Sequence, residues 1–228
     1  MAEIKISVTK NGPYRVSGIE GLPRRDFVLN EEGYPRDWTE VEARELVTDR
    51  SGTAYLCRCG GSANKPYCDG THNSIGFDGT ETATTATYDE VAKVSTHDEL
   101  QMGDEVALCA HAKFCQRRGD VWHLFAAPER TAQDESEMLQ MMDQCPTGRL
   151  THRATGSENW DEPARASEVF LAKNGPIMVT GGAQVERSDG APVESRNRMA
   201  LCRCGHSANK PFCDGSHIDA GFTDTVEE

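Results

Sequence analysis

The sequence predicts an α+β, strand-rich fold: two small antiparallel-β units with a small α/β domain inserted between them. Three observations lead there. Residues 57–72 (CRCGGSANKPYCDGTH) and 202–217 (CRCGHSANKPFCDGSH) are almost the same sixteen residues, differing only at Gly61/His206, Tyr67/Phe212 and Thr71/Ser216. The likeness extends outward, because Lys10-Asn11-Gly12-Pro13 returns as Lys173-Asn174-Gly175-Pro176 and Gly76-Phe77 returns as Gly221-Phe222. Between the copies the pattern changes to a helical stripe. The expected organisation is a first unit at 1–88, an insert at 97–155 and a second unit at 166–228, with residues 79–87 and 156–165 as polar linkers.

Each unit reads as a turn, a short strand, a variable loop, a second short strand, the cysteine loop and a last strand at Gly-Phe. Asn-Gly-Pro is turn chemistry, and the β-branched alternation of YRVSG (14–18) and IMVTG (177–181) suits half-buried strands. AYLCRC and MALCRC then run into the first cysteines. From the first lysine of KNGP to the first cysteine there are 47 residues in one copy (Lys10 to Cys57) and 29 in the other (Lys173 to Cys202), so the first carries 18 more. These lie within 24–50, where TEVEARELV (39–47) predicts a short helix capped by Thr39. In the insert, residues 134–144 predict a helix. Asp134 and Glu137 form its capping box, Met138, Met141, Met142 and Cys145 its stripe, and Pro146 and Gly148 its stop. Trp122 and Phe125 are expected in the same core.

Composition narrows the function classes. The 228 residues are 37% hydrophobic with a mean hydropathy of −0.61, which suits small domains stabilised partly by metal. A net charge of −13 argues against nucleic acid as a partner, since that needs basic patches. No apolar run approaches the roughly 18 residues of a membrane span, and residues 1–16 have no apolar signal core. A soluble, cytoplasmic protein is expected. Six of the nine cysteines sit in the repeat, so metal ligation explains them better than disulfides. No nucleophile–base pair or phosphate loop stands out, and no enzymatic activity is expected.

Each sixteen-residue copy spells C-x-C-x8-C-x3-H, three thiolates and an imidazole. These are donors for iron–sulfur clusters or zinc. Cys57 and Cys59 can reach one metal atom from a tight extended loop. Cys68 and His72, at i and i+4 of a helical first turn, can hold a second iron. Asp69 and Thr71 suit the cap of that turn, and its N–H groups with Ser62 and Lys65 can donate to cluster sulfurs. Cys202, Cys204, Cys213 and His217 repeat the set. Spacing alone leaves a tetrahedral Cys3His zinc site as the alternative.

Both loops resemble the CDGSH iron–sulfur family (the NEET proteins), whose pattern is C-x-C-x2-[ST]-x3-P-x-C-D-G-[STA]-H. Cys57, Cys59, Ser62, Pro66, Cys68, Asp69, Gly70, Thr71 and His72 satisfy it. So do Cys202, Cys204, Ser207, Pro211, Cys213, Asp214, Gly215, Ser216 and His217. The resemblance implies two [2Fe–2S] clusters, with the first two cysteines of each loop on an inner iron and the third cysteine and histidine on an outer, more exposed one. It also implies a small β-rich unit that dimerises through its strands. Two copies in one chain then suggest an intramolecular pseudo-dimer, a monomer with a pseudo-twofold axis. The chain departs from anchored members in lacking a membrane segment and from single-motif members in carrying two. His72 and His217 are expected to couple redox state or cluster retention to pH. His206 is expected on the loop surface.

Cys109-x5-Cys115 followed by Cys145-Pro146-Thr147-Gly148-Arg149-Leu150 resembles the divergent mono-cluster ferredoxin-like domain, which ends in C-P-[ST]-G-A-L. The usual C-x2-C-x2-C run is absent, and His111 is the candidate fourth donor. One reading is a third cluster on Cys109, Cys115 and Cys145. The other, which the residues favour, is an α/β domain with buried cysteines and a methionine core. His97, His123 and His152 lack partners in the sequence and are expected at the surface. The leading functional expectation is one-electron transfer with redox partner proteins. The alternatives are cluster storage or transfer to apo-acceptor proteins, and a structural zinc-binding interaction module.

Overall fold

The structure is a computed structural model that describes residues 3–42 and 45–224. The first half contributes β1 (Lys5–Val8), β2 (Tyr14–Ser17), β3 (Arg24–Leu29), β4 (Pro35–Glu42), β5 (Ala54–Leu56) and the single turn α1 (Thr71–Ser74). The insert contributes α2 (Tyr88–Val91), β6 (Lys93–His97), β7 (Leu100–Asp104), α3 (Val121–Ala126), α4 (Ala132–Asp143) and β8 (Leu150–Ala154). The second half contributes β9 (Glu168–Ala172), β10 (Ile177–Thr180), β11 (Gln184–Glu186), β12 (Arg198–Leu201) and the turn α5 (Ser216–Asp219). The α+β, strand-rich class is what the structure shows.

Each half keeps a hairpin, β1–β2 or β9–β10, flanked by the strand that leads into its cysteine loop, β5 or β12. The other flank comes from the opposite half. β11 pairs parallel with β1 (Ile6 with Val185), and β3 pairs parallel with β9 (Arg24 with Leu171). The two sheets, ordered β11-β1-β2-β5 and β12-β10-β9-β3-β4, are therefore related by a pseudo-twofold exchange of the third strand. The alternating inward residues of both sheets make one shared core, with Ile6, Tyr14, Val16 and Leu56 packed with Leu171, Ile177, Leu201 and Phe212. Each fully buried large apolar side chain there is worth about 1.5–3 kcal/mol.

Two expected elements differ. Residues 39–42 of the expected helix lie in strand β4, while 43–44 fall outside the described residues. Trp38 decides this, because β4 pairs with β3 and places Trp38 among the rings of Phe27, Phe114 and Phe170. Tertiary packing overrides the helical composition. The last strand at Gly-Phe does not form either. Gly76 and Gly221 take φ of 64° and 59° and end α1 and α5 as left-handed caps. Phe77 and Phe222 then lie beside the Arg58 and Arg203 guanidinium groups.

In the insert, the antiparallel sheet β6–β7–β8 carries α3 and α4. Met138, Met141, Met142 and Leu150 are fully buried between them. Helix α4 begins earlier than expected, with Thr131 as N-cap and a capping box to Asp134, because the threonine hydroxyl accepts from the Asp134 N–H. Residues 79–87 are not a free linker. The N–H groups of Thr82 and Ala83 donate to the Lys210 carbonyl, and Ala83 joins the shared core. Two histidines have partners that the sequence hid. His152 is buried with Nε2 3.0 Å from Asp143 Oδ1, and His97 Nδ1 lies 3.1 Å from Asp98 Oδ2.

Candidate metal centres

Each cysteine loop hangs from the end of a core strand and is closed back onto it. The Cys57 N–H donates to the Pro66 carbonyl and the Cys68 N–H to the Tyr55 carbonyl, both at 2.8 Å. The Cys202 N–H to Pro211 and the Cys213 N–H to Ala200 repeat this at 2.8 Å. Inside the loops the Ser62 and Ser207 hydroxyls donate to the carbonyls of Tyr67 and Phe212 at 2.6 Å. Lys65 and Lys210 Nζ donate to the carbonyls of Ser62 and Ser207. The side chains of Ser62 and Lys65 therefore brace the loop, while the Ser62 N–H donates to the Cys57 sulfur. Asp69 does cap, accepting from the N–H groups of Thr71 (3.0 Å) and Ala63 (2.8 Å), and Asp214 does the same with Ser216 and Ala208. The Thr71 hydroxyl and these N–H groups hold the Asp69 carboxyl far below the usual carboxylate range.

The donors stand in pairs. Cys57 and Cys59 have their sulfurs 3.8 Å apart, and Cys202 and Cys204 3.7 Å apart. Cys68 Sγ lies 3.3 Å from His72 Nδ1, and Cys213 Sγ lies 3.4 Å from His217 Nδ1. Cys68 itself precedes the helical turn, and Gly70 in the left-handed region (φ 90°) swings His72 back beside it. In each cysteine pair the inner thiol, Cys57 or Cys202, is pulled down because its neighbour donates to it and backbone N–H groups point at it, while burial opposes this. Burial pushes the Cys213 thiol up to about 12 and the His217 imidazole down. The N–H of His206 lies 3.5 Å from Cys204 Sγ and that of Gly215 3.5 Å from Cys213 Sγ. Thiol donors with N–H groups directed at them fit an iron–sulfur cluster.

The two loops meet at the pseudo-twofold axis. A Cβ on Gly60 (φ 75°) would lie 2.2 Å from the Cys204 carbonyl oxygen, and one on Gly205 (φ 86°) 2.5 Å from that of Cys59. Only glycine fits both the conformation and the approach. The arginines of the two C-R-C runs turn inward. Arg58 donates to the carbonyls of Gly12 and Gly79, and Arg203 to those of Ala172 and Gly175 and to the Asp224 carboxylate. They tie each ligand loop to its own Asn-Gly-Pro turn. Tyr14 reaches across the halves, its hydroxyl donating to the carbonyls of Cys202 (2.8 Å) and Pro211 (3.1 Å). Sequence reasoning missed these residues, although the invariance of Arg58/Arg203 between the copies was a usable signal.

Family comparison agrees with this geometry. The model described as iron-binding zinc finger CDGSH type matches residues 11–73 and 174–218, and the model described as divergent 4Fe-4S mono-cluster matches 96–155 between them. The chain carries two CDGSH segments around a mono-cluster segment. No curated protein matches it. As a tandem CDGSH chain with a mono-cluster insert it is an iron–sulfur protein.

The insert also brings its donors together. Cys109, Cys115 and Cys145 line one small cavity beside Thr147 and Arg149. Burial pushes the Cys115 thiol up to about 11. Arg149, which stands where the mono-cluster pattern has alanine, bonds the Asp104 carboxylate at 2.6 Å and faces the Cys109 sulfur. A fixed cation against three thiols fits an anionic cluster. His111 lines the same cavity and also reaches the second CDGSH loop, where a Cβ on Gly215 would lie 2.3 Å from its ring carbon Cδ2. His123 and His206 are exposed, as expected.

Proposed function

We propose that this CDGSH chain carries two [2Fe–2S] clusters, one on Cys57, Cys59, Cys68 and His72 and one on Cys202, Cys204, Cys213 and His217, and serves as a one-electron carrier between redox proteins. The observation that carries this reading is the pairing of donors, two sulfurs at 3.7–3.8 Å and a sulfur with an imidazole nitrogen at 3.3–3.4 Å in each loop. Two donor pairs per loop suit one iron per pair better than a single tetrahedral zinc. A bound cluster supplies a one-electron couple. The inner cysteines anchor it in the core, the backbone N–H groups stabilise its sulfurs, and His72 and His217 close its outer side.

The mono-cluster match and the shared cavity of Cys109, Cys115 and Cys145 support a third cluster in the insert. The strand exchange supports a monomer with internal pseudo-twofold symmetry, since each half already occupies its partner's sheet edge. Among the described residues no helix is long and apolar enough to cross a membrane. Partners are then redox proteins met in solution, with no substrate chemistry.

Iron and acid-labile sulfide counts on purified protein test the assignment. Four irons with visible absorption and a reduced EPR signal are expected from the two loops, and more when the insert is loaded. A colourless, zinc-loaded protein would overturn the reading. Acid gives a second check. The histidine must be neutral to bind iron, so falling pH opens the outer side, while a cysteine in its place stays bound. His72→Cys and His217→Cys are each expected to keep absorbance several-fold longer than wild type near pH 5.5. Equal decay rates would refute the histidine's role.

A further inference from the structure

We propose that the three centres form a linear one-electron relay in the order insert, second CDGSH loop, first CDGSH loop, with His111 as the residue that seats the insert on the second loop. This rests on the third cluster proposed above. The two ligand loops are nearly identical in sequence, so differences in their surroundings come from the rest of the chain. In the first loop Cys68 is partly exposed, and a Cβ on Gly70 would meet nothing within 4 Å. In the second, Cys213 is 2% exposed and packs in one apolar cluster with Ala110, the neighbour of Cys109. The His111 ring lies on Gly215. Asn209 Nδ2, also in the second loop, donates to the Ala107 carbonyl at 2.7 Å. The segment that carries Cys109 thus touches the second loop through three adjacent contacts, at Ala107, Ala110 and His111.

From the second loop the next step is the glycine crossing, where the backbone of Cys204–Gly205 lies against that of Cys59–Gly60. Coupling of this kind travels through contiguous packed groups. The second centre is covered by the insert, while the Cys68–His72 side of the first remains open to a partner. With clusters held by these donors, one electron from a reduced iron–sulfur or haem protein, oxidised by one, would enter at one end, and the middle centre would hand it on to a one-electron acceptor of the same class at the other end, reduced by one. No bond is made or broken, and no proton is required.

The test is EPR on the full-length, reduced protein, with an iron count for every sample. In wild type one of the two CDGSH signals is expected to be broadened by a neighbouring spin, with relaxation several-fold faster than the other. Assignment comes from His72→Cys and His217→Cys, each of which shifts the g-values of its own centre. Cys109→Ser with Cys115→Ser is expected to lower the iron count and remove that fast relaxation from the second-loop signal alone. An unchanged iron count would overturn the third cluster and the relay with it. A lower count with both signals unchanged, or both changed alike, would overturn the relay and leave the third cluster standing. Gly215→Ala against Gly70→Ala checks the contact without touching a donor. Both glycines have φ 90°, so both variants carry the same backbone strain, but only Gly215→Ala collides with His111. Relaxation of the second-loop signal is expected to slow in Gly215→Ala and to stay at the wild-type rate in Gly70→Ala. Equal behaviour of the two would refute the seat.

Discussion

Gly205→Val is expected to destabilise the chain by at least about 3 kcal/mol and to release iron from both CDGSH loops together. The left-handed conformation at φ 86° disfavours a β-branched residue by about 1–3 kcal/mol. The new Cβ would also stand 2.5 Å from the Cys59 carbonyl oxygen, a backbone atom that cannot step aside. At a few degrees per kcal/mol for a chain of this size, Tm falls by roughly 10 °C. Thermal unfolding followed at the visible band reads both losses at once. Gly60→Val should behave alike, since it meets the Cys204 carbonyl oxygen. Loss of iron from one loop only would show that the crossing does not link them.

The second large effect concerns Asp224. Its carboxylate is fully buried and lies between Arg203 of the second loop and Arg24 of β3, with Arg24 Nη2 2.8 Å from Oδ1. Asp224→Ala leaves two buried guanidinium groups without their shared anion, at a cost of about 3–5 kcal/mol. Burial pushes this carboxyl up, but Arg203 and Arg24 overcome it and hold it at about 2. A carboxyl depressed in the folded state contributes stability above its unfolded value of about 3.9, and loses it as pH falls toward the folded value. The gap between wild type and Asp224→Ala in urea unfolding is therefore expected to be full at pH 7 and to narrow between about pH 4 and pH 2. A gap independent of pH would show that packing and not charge carries the effect.

The candidate donors were legible because their chemistry is local. The Cys and His positions of each loop, the caps Asp69 and Asp214, and the methionine stripe of the insert all follow from spacing along the chain. What escaped depends on closure of the whole fold. Nothing in residues 24–29 or 184–186 says that each strand will join the other half's sheet, because a three- or six-residue strand finds its edge only once both hairpins exist. Asp224 reads as one more acidic residue near an acidic terminus until Arg24 and Arg203 converge on it. Thr39 and Val41 alternate as a strand within a helix-like composition, and only Trp38 among its aromatic neighbours decides between the two. Arg149 looks like a departure from the mono-cluster pattern until its side chain is seen against Cys109.

The exchanged strands carry an evolutionary consequence. A chain descended from two separable copies could lose one, or let one decay, and keep the other. Here each copy's sheet ends on a strand encoded in its twin, so deletion of either leaves an open edge and half a core. Because the strands are traded, a substitution in either copy bears on the sheet of both. The large insert lies where the chain passes from one half to the other, outside the two shared sheets.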